Sequence, residues 1–314
     1  MTISDQAPVA VSDQVRDALA AGRPVLALES TIFTHGLPRP RNVQVALDAV
    51  AQLRDAGVVA ATIGVLDGVP VVGLDDAQIE RLATADAHKL SVRDLPVAVA
   101  TRSSGGTTVA ATAYLAHRAG IAVMSTGGLG GVHRGASTTF DESADLTTLA
   151  VTPIAVVSAG VKSILDIGAT LERLETLNIP VVGYRTTRYP AFYVADSGFS
   201  LEYRVDSPAE AAALIAARDV LGLTAAVLIA NPVAESKQLP PELHDAVLAQ
   251  AIESAERDGV SGHDTTPYLL DHMQRATGGA SLDVNVEVYR GNVALGAEIA
   301  RAVAADCYLG PEQP

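Results

Sequence analysis

The chain has 314 residues, 48% of them hydrophobic, and carries 36 acidic against 22 basic side chains for a formal charge of −14. That field argues against nucleic acid or anionic membrane surfaces as general partners, and the single cysteine, Cys307, excludes an intrachain disulfide framework or a cysteine-rich zinc site. No apolar run reaches the ~20 residues of a membrane span and Met1–Gln14 has no basic and apolar leader pattern, so the expectation is a cytoplasmic protein without nucleic-acid or membrane partners.

Strand and helix patterns alternate along the chain. Val25–Leu28 reads as a strand and Arg41–Ala56 as a helix; Ala60–Val65 and Val69–Val72 flank Asp67-Gly68, a hairpin signal. Asp75–Ala85 reads as a helix, Val97–Ala100 as a strand, and Val109–Ala119 as a helix opened by Gly105-Gly106-Thr107-Thr108. Ile121–Ser125 is a strand leading into the glycine-rich stretch Thr126–Gly135, and Ile154–Ser158 is another. Val161, Ile164, Leu165, Leu171, Leu174 and Leu177 recur at helical spacing, which predicts a helix over Lys162–Leu177. Val181–Gly183, a helix over Pro208–Leu221, the strand Ala225–Ala230 and two or three further helices complete the pattern. This is an α/β chain with helices on both faces of a mixed, mostly parallel sheet, forming one domain over residues 1–314. Residues 1–12 and 309–314 are expected as flexible tails. The long stretch Tyr184–Ser207 is a candidate lid or subunit contact.

Several residues can carry chemistry. A helix starting at Lys162 places its ammonium against the positive end of a macrodipole, at the carboxyl edge of a strand where open α/β sheets bind ligands. Both that placement and partial burial push a lysine pKa down, which suits imine formation with a sugar aldehyde; a lysine reaching out to solvent is the plainer alternative. Glu29 ends the strand Val25–Leu28, where apolar surroundings raise a carboxyl pKa towards general acid or base work. Lys89 offers a cation to an anionic substrate. Five glycines over Thr126–Gly135, with His133 and Arg134, suggest an anion-binding loop, and Gly105–Thr108 a second one. The loop lacks both the dinucleotide fingerprint and the P-loop pattern. On a helix, Asp141 and Asp145 share a face and suit a hard divalent cation, although their spacing alone favours a solvated acidic helix start. Asn231 and Asn285 can read a base edge or a hydroxyl, or simply cap and turn the chain.

Ordered segments of this chain, from Ala27–Ile32 through Thr62–Gly68, Lys89–Leu95, Gly105–Val109, Ser125–His133, Phe140–Leu146, Ala159–Asp166, Pro190–Tyr193 and Ile229–Pro232 to Asn285, resemble the indigoidine synthase A-like group of pseudouridine-5′-phosphate glycosidases. The resemblance runs from about Ala27 to Arg301. It implies a three-layer α/β/α sandwich, a homotrimer, and Mn²⁺-assisted reversible cleavage of the carbon–carbon glycosidic bond of pseudouridine 5′-phosphate to ribose 5-phosphate and uracil. By the same resemblance Lys162 is the imine-forming nucleophile, Glu29 the proton donor and Asp141 the metal ligand. Lys89, Val109, Ser143, Ala144 and Asp145 are substrate-binding positions, with His133 and Asn285 as neighbours. Ser158 and the segment from His263 to Pro267 depart from the group's usual residues. C-glycoside synthesis with another base, a Schiff-base sugar-phosphate lyase and a non-catalytic sugar-phosphate-binding paralogue are the competing readings.

Overall fold

A computed structural model describes residues 9–260 and 265–308. The strands are β1 (Ala10–Val11), β2 (Val25–Leu28), β3 (Val59–Leu66), β4 (Val69–Val72), β5 (His88–Leu90), β6 (Gly105–Thr107), β7 (Val123–Ser125), β8 (Ala155–Ser158), β9 (Val181–Tyr184), β10 (Tyr203–Val205) and β11 (Val227–Ala230). The helices are α1 (Asp13–Ala20), α2 (Arg41–Asp55), α3 (Asp76–Thr84), α4 (Leu95–Thr101), α5 (Val109–Arg118), α6 (Ala136–Thr139), α7 (Ala144–Leu149), α8 (Ile167–Thr176), α9 (Pro208–Val220), α10 (Pro241–Arg257), α11 (Thr265–Ala276) and α12 (Ala280–Tyr308).

The strands form one sheet in the order β1-β4-β3-β2-β7-β8-β11-β9-β10, with β6 branching from β3 and β5 pairing β6. Of the pairings between these strands among the described residues, β3–β4 and β3–β6 are antiparallel and the others parallel. The β3–β4 hairpin turns at Asp67 and Gly68, both with positive φ, the conformation that the favoured two-residue turn requires. Alternation along β2 shows how three layers arise. Val25 and Ala27 join a core with Val15 of α1, Leu115 of α5, Leu146 of α7 and Leu174 of α8. Leu26 and Leu28 face the opposite way, into a core with Leu53 of α2, Ile79 of α3, Ile215 of α9 and Val293 of α12. Fully burying a large apolar side chain of this kind contributes about 1.5–3 kcal/mol, so both sheet faces are strongly specified. A third cluster joins Val161, Ile164 and Leu165 to Tyr189, Phe192 and Tyr193, and to α10, α11 and α12.

The structure corrects several expectations. Val97–Ala100 lies inside α4, with Pro96 in its first turn; a four-residue apolar run has no periodicity with which to separate strand from helix. Gly105–Thr107 is the strand β6, and α5 opens only at Val109 behind the Thr108 cap. The helix expected from Lys162 begins at Ile167, because Asp166 caps it by accepting the Ala169 amide at 3.0 Å. Asp141 and Asp145 share no helix, since α7 starts at Ala144. The tail expected over 1–12 is ordered from Val9, with Ala10–Val11 paired parallel to β4; residues 1–8 and 309–314 lie outside the described residues, as do His263 and Asp264 of the departing segment. The middle of Tyr184–Ser207 is not a loose lid: Tyr189, Ala191, Phe192, Tyr193 and Val194 are all buried.

Candidate active site

The site forms where three neighbouring parallel strands end together. Leu28 of β2 pairs with Ser125 of β7, and Ser125 with Val157 of β8, so Glu29, Thr126 and the Ser158–Lys162 segment leave the sheet side by side. Glu29 is 7% exposed. Its two carboxylate oxygens accept one hydroxyl each, Oε2 from Thr31 and Oε1 from Thr126. Burial raises its pKa; the Lys162 ammonium and the two hydroxyls act against that rise, and Asp145 adds to it.

Lys162 is positioned by a bridge between Val161 and Leu129 and by the turn that follows, rather than by a helix. The glycine-rich loop runs alongside it: Ala159 N–H donates to Gly127 O (3.0 Å), Leu129 N–H to Gly160 O (2.9 Å) and Lys162 N–H to Leu129 O (3.2 Å). The β7–β8 pairing thus continues beyond both strands. Gly160 makes the departure possible, since its φ is +76° and a Cβ there would stand 2.6 Å from Pro190 O. The helix-dipole argument for tuning this lysine therefore does not hold.

The loop's glycines let backbone pack directly on side chains. A Cβ on Gly128 would meet the Phe192 ring at 2.5 Å, and one on Gly130 would meet Ser143 Oγ at 2.2 Å. Asp145, 6% exposed, straps this region: Oδ1 accepts Ala110 N–H from α5 (2.9 Å) and Oδ2 accepts Gly130 N–H (2.8 Å). Val109, Ser143, Ala144 and Asp145 are thereby gathered around the loop. Within the loop, the amides of Leu129, Gly130, Val132 and His133 are already engaged by the protein.

Cations line the other side. Lys89 on β5 pairs with Gly106 of β6. Burial of its ammonium lowers the Lys89 pKa and Lys162 lowers it further, while Asp145 and Glu29 oppose the shift. His133 lies 3.7 Å from Asp141 by Nδ1–Oδ2, and its pKa is lowered by burial against the pull of Asp141, with Lys89 and Lys162 adding to the lowering. Glu29, Lys89, His133, Asp141, Asp145 and Lys162 thus form one electrostatic cluster. Asn285 on α12 approaches from behind the loop, its Oδ1 3.6 Å from where a Cβ on Gly127 would sit.

Sequence reasoning missed Asn292, also on α12. Buried at 1% exposure, its Nδ2 donates to Thr126 O (2.8 Å) and Gly127 O (3.1 Å), and its Oδ1 accepts from Asn231 Nδ2 (3.0 Å). The available signal was its spacing: Asn285 and Asn292 stand two helical turns apart, on one face. Thr31, Thr126 and Phe192 were likewise unassigned.

No three His, Cys, Asp or Glu side chains converge among the described residues. The donor available to a cation is the Asp141 carboxylate, about one-third exposed. A single hard oxygen ligand open to water fits an ion that keeps most of its hydration shell, such as Mg²⁺ or Mn²⁺.

A three-layer α/β protein with a buried glutamate beside a lysine, and further cations at the carboxyl edge of its sheet, is built as an enzyme for a small anionic substrate. The chain belongs to the indigoidine synthase A-like family, whose model, "Indigoidine synthase A like protein", matches residues 14–302. It is 69% identical over 295 residues, 94% of this chain and 97% of the relative, to a pseudouridine-5′-phosphate glycosidase of Saccharopolyspora erythraea. A glycosidase of the same name from Geobacillus kaustophilus is 47% identical over 93% of this chain and 98% of its own. Among solved structures, the prealnumycin C-glycosynthase AlnA in complex with ribulose 5-phosphate superposes with a TM-score of 0.89 at 37% identity, covering 97% of this chain and 99% of that one. An indigoidine synthase A-like protein of Thermotoga maritima gives 0.86 at 34% identity, covering 95% and 97%. No helix among the described residues is long and apolar enough to cross a membrane.

Proposed function

We propose that this chain reversibly cleaves the C–C glycosidic bond of pseudouridine 5′-phosphate to ribose 5-phosphate and uracil through a lysine imine. The observation that carries the reading is a buried Glu29, its pKa raised by desolvation, within the electrostatic reach of Lys162, in a chain so similar to glycosidases of that name. A carbon-bound base is a poor leaving group, so the ribose ring has to open first. Protonated Glu29 gives its proton to the ring oxygen as C1′–O4′ breaks and Lys162 Nζ bonds to C1′. Glu29 takes up the proton that Nζ releases. The Nζ lone pair then forms the C1′ imine while the C1′–C5 pair leaves on uracil, which takes that same proton at C5. Water hydrolyses the imine, freeing ribose 5-phosphate and Lys162.

Lys89 and His133 face the site's anions, while Val109, Ser143, Ala144 and Asp145 shape its wall and Asn285 stands behind the loop that floors it. Asp141 would hold a hydrated Mn²⁺, which supplies positive charge near the substrate's oxygens. The same reading has the protein act in the cytoplasm as a homotrimer, supported by its low cysteine content and by the exposed apolar side chains of Val220, Leu221 and Leu223. The similarity to a C-glycosynthase favours, as a second reading, C-glycoside synthesis with another acceptor.

The test is mass spectrometry of products from ribose 5-phosphate and uracil, with and without Mn²⁺. Metal-dependent pseudouridine 5′-phosphate is expected, together with a borohydride-trapped sugar on the peptide containing Lys162. Trapping on another residue, or no product from folded protein, overturns the reading; product only with other acceptors turns it towards synthesis.

A further inference from the structure

Glu29 has to do two opposite things: give up a proton and take one back. The groups that hold it decide whether it can. A carboxylate held by backbone amides or a guanidinium is locked in its charged form, because such donors cannot accept in return. A carboxyl left bare in a buried site is locked neutral. Glu29 is held in neither way, since each of its oxygens accepts from a threonine hydroxyl. A hydroxyl is donor and acceptor at once and turns about one bond. When Glu29 is ionised both threonines donate; when it takes a proton on one oxygen, the threonine there turns and accepts it.

Both hydroxyls are free for this role because the surrounding backbone is fixed by other groups. Thr31 stands at the start of the π-helical turn Ile32–Gly36 and makes no side-chain capping bond to it. Thr126 has its N–H committed to Val157 O at 3.0 Å and its carbonyl held by Asn292, which leaves its hydroxyl for Glu29. The charged and titratable groups facing Glu29 are Lys162 beyond β8, Asp145 of α7, Lys89 of β5 and Tyr289 of α12. The threonines add no charge to that set. They adjust which form of Glu29 is held without adding a charge of their own to the cluster.

We propose that Thr31 and Thr126 are positioning residues that grip Glu29 by one hydroxyl on each oxygen, keep it aimed, and let it change protonation state within the working pH range. This rests on Glu29 as the proton-transfer group. Removing a hydroxyl removes a donor that favours the carboxylate, so Glu29 should hold its proton to higher pH.

The experiment uses the full chain. The carboxyl infrared band lost in Glu29→Gln is titrated in wild type, Thr31→Val, Thr126→Val and the two Thr→Ser variants, alongside pH profiles of kcat and kcat/KM. Each Val variant is expected to move the band's midpoint and the matching kinetic limb upward by about one pH unit, the size of one hydrogen bond to a charged group. It should also lower kcat at least tenfold with KM changed less than about threefold, and Ser should restore both. Where a Val variant does not fold, Thr→Ala takes its place. A fall in kcat with an unmoved infrared midpoint, or no recovery with Ser, overturns the proposal. Full activity in Glu29→Gln would instead sink the proton-transfer reading, while the infrared titration of the resting protein still decides whether the threonines hold the carboxyl.

Discussion

Asn292→Ala removes the link between the C-terminal helix and the glycine-rich loop. Three hydrogen bonds are lost: two from Nδ2 to the Thr126 and Gly127 carbonyls, and one accepted from Asn231. Each buried polar group left unpartnered costs about 1–3 kcal/mol. Asn292 and Asn231 also line a cavity of about 440 Å³, large enough for water to reach the vacated space. Water then rescues part of the loss, and the net destabilisation comes to about 2–4 kcal/mol. For a chain of 314 residues that is a fall of about 3–6 °C in melting temperature, read by calorimetry. Activity should fall further than stability at a temperature where the variant is fully folded, because the same amide fixes the residue whose hydroxyl holds Glu29. A melting temperature within 1 °C of wild type, or activity falling only as the folded fraction falls, would refute the reasoning.

Gly130→Ala puts a methyl group 2.2 Å from Ser143 Oγ and 2.8 Å from Asp145 Oδ2, so the loop must lift off the α7 start; overpacking of this kind costs about 1–3 kcal/mol. A raised KM for pseudouridine 5′-phosphate is expected from steady-state kinetics, and an unchanged one would count against a substrate wall built on that contact. Glu29→Gln should change the pH dependence of stability. The folded pKa of Glu29 is raised above its ordinary 4.5 by burial, so its contribution is fully present below 4.5 and is lost as pH rises through the folded value. The variant should therefore melt above wild type at pH 8 and converge with it near pH 4.5; the reverse order in thermal melts would contradict a desolvated carboxyl. Binding sulfate, a dianion that does not itself titrate near neutral pH, should draw protons from solution, because an added anion favours the protonated forms of both Glu29 and Lys89. Calorimetry in buffers of different ionisation enthalpy reads the number taken up, and proton release would refute it.

Much of this architecture was legible because hydrophobic periodicity and turn chemistry are local. The β3–β4 hairpin follows from Asp67-Gly68, and β2, β8 and α2 follow from their apolar patterns. The misread elements are those decided by tertiary contacts. Lys162 lies in a segment with helical spacing, yet Leu129 claims its amide and Asp166 starts the helix later. Gly105-Gly106 looks like a helix opening but pairs with β3, where Gly106 has room only for the Thr34 side chain above it. Glu29 and Lys162 were readable as residues just beyond strand ends, where the structure places them. Asn292 was harder to read, because its partners lie far away in sequence and its one local mark is the two-turn spacing from Asn285 on the same helix face.

The replacement of a helix by a bridge and a turn at Lys162 changes what the rest of the site must supply. A helix start would have tuned the amine through its dipole, a field that acts over a turn of chain whichever way the side chain points. A segment clamped on the glycine loop gives little field but fixes the course of the backbone that carries the lysine, and under the proposed imine chemistry an attacking amine gains more from a held trajectory than from a modest change in basicity. Direction then passes to the backbone contacts that only Gly128, Gly131 and Gly160 permit. The loop that reads in sequence as an anion cradle thus serves first as the rail along which the lysine segment is laid, with Phe192, Thr170 and Tyr189 packed where side chains on those glycines would have been.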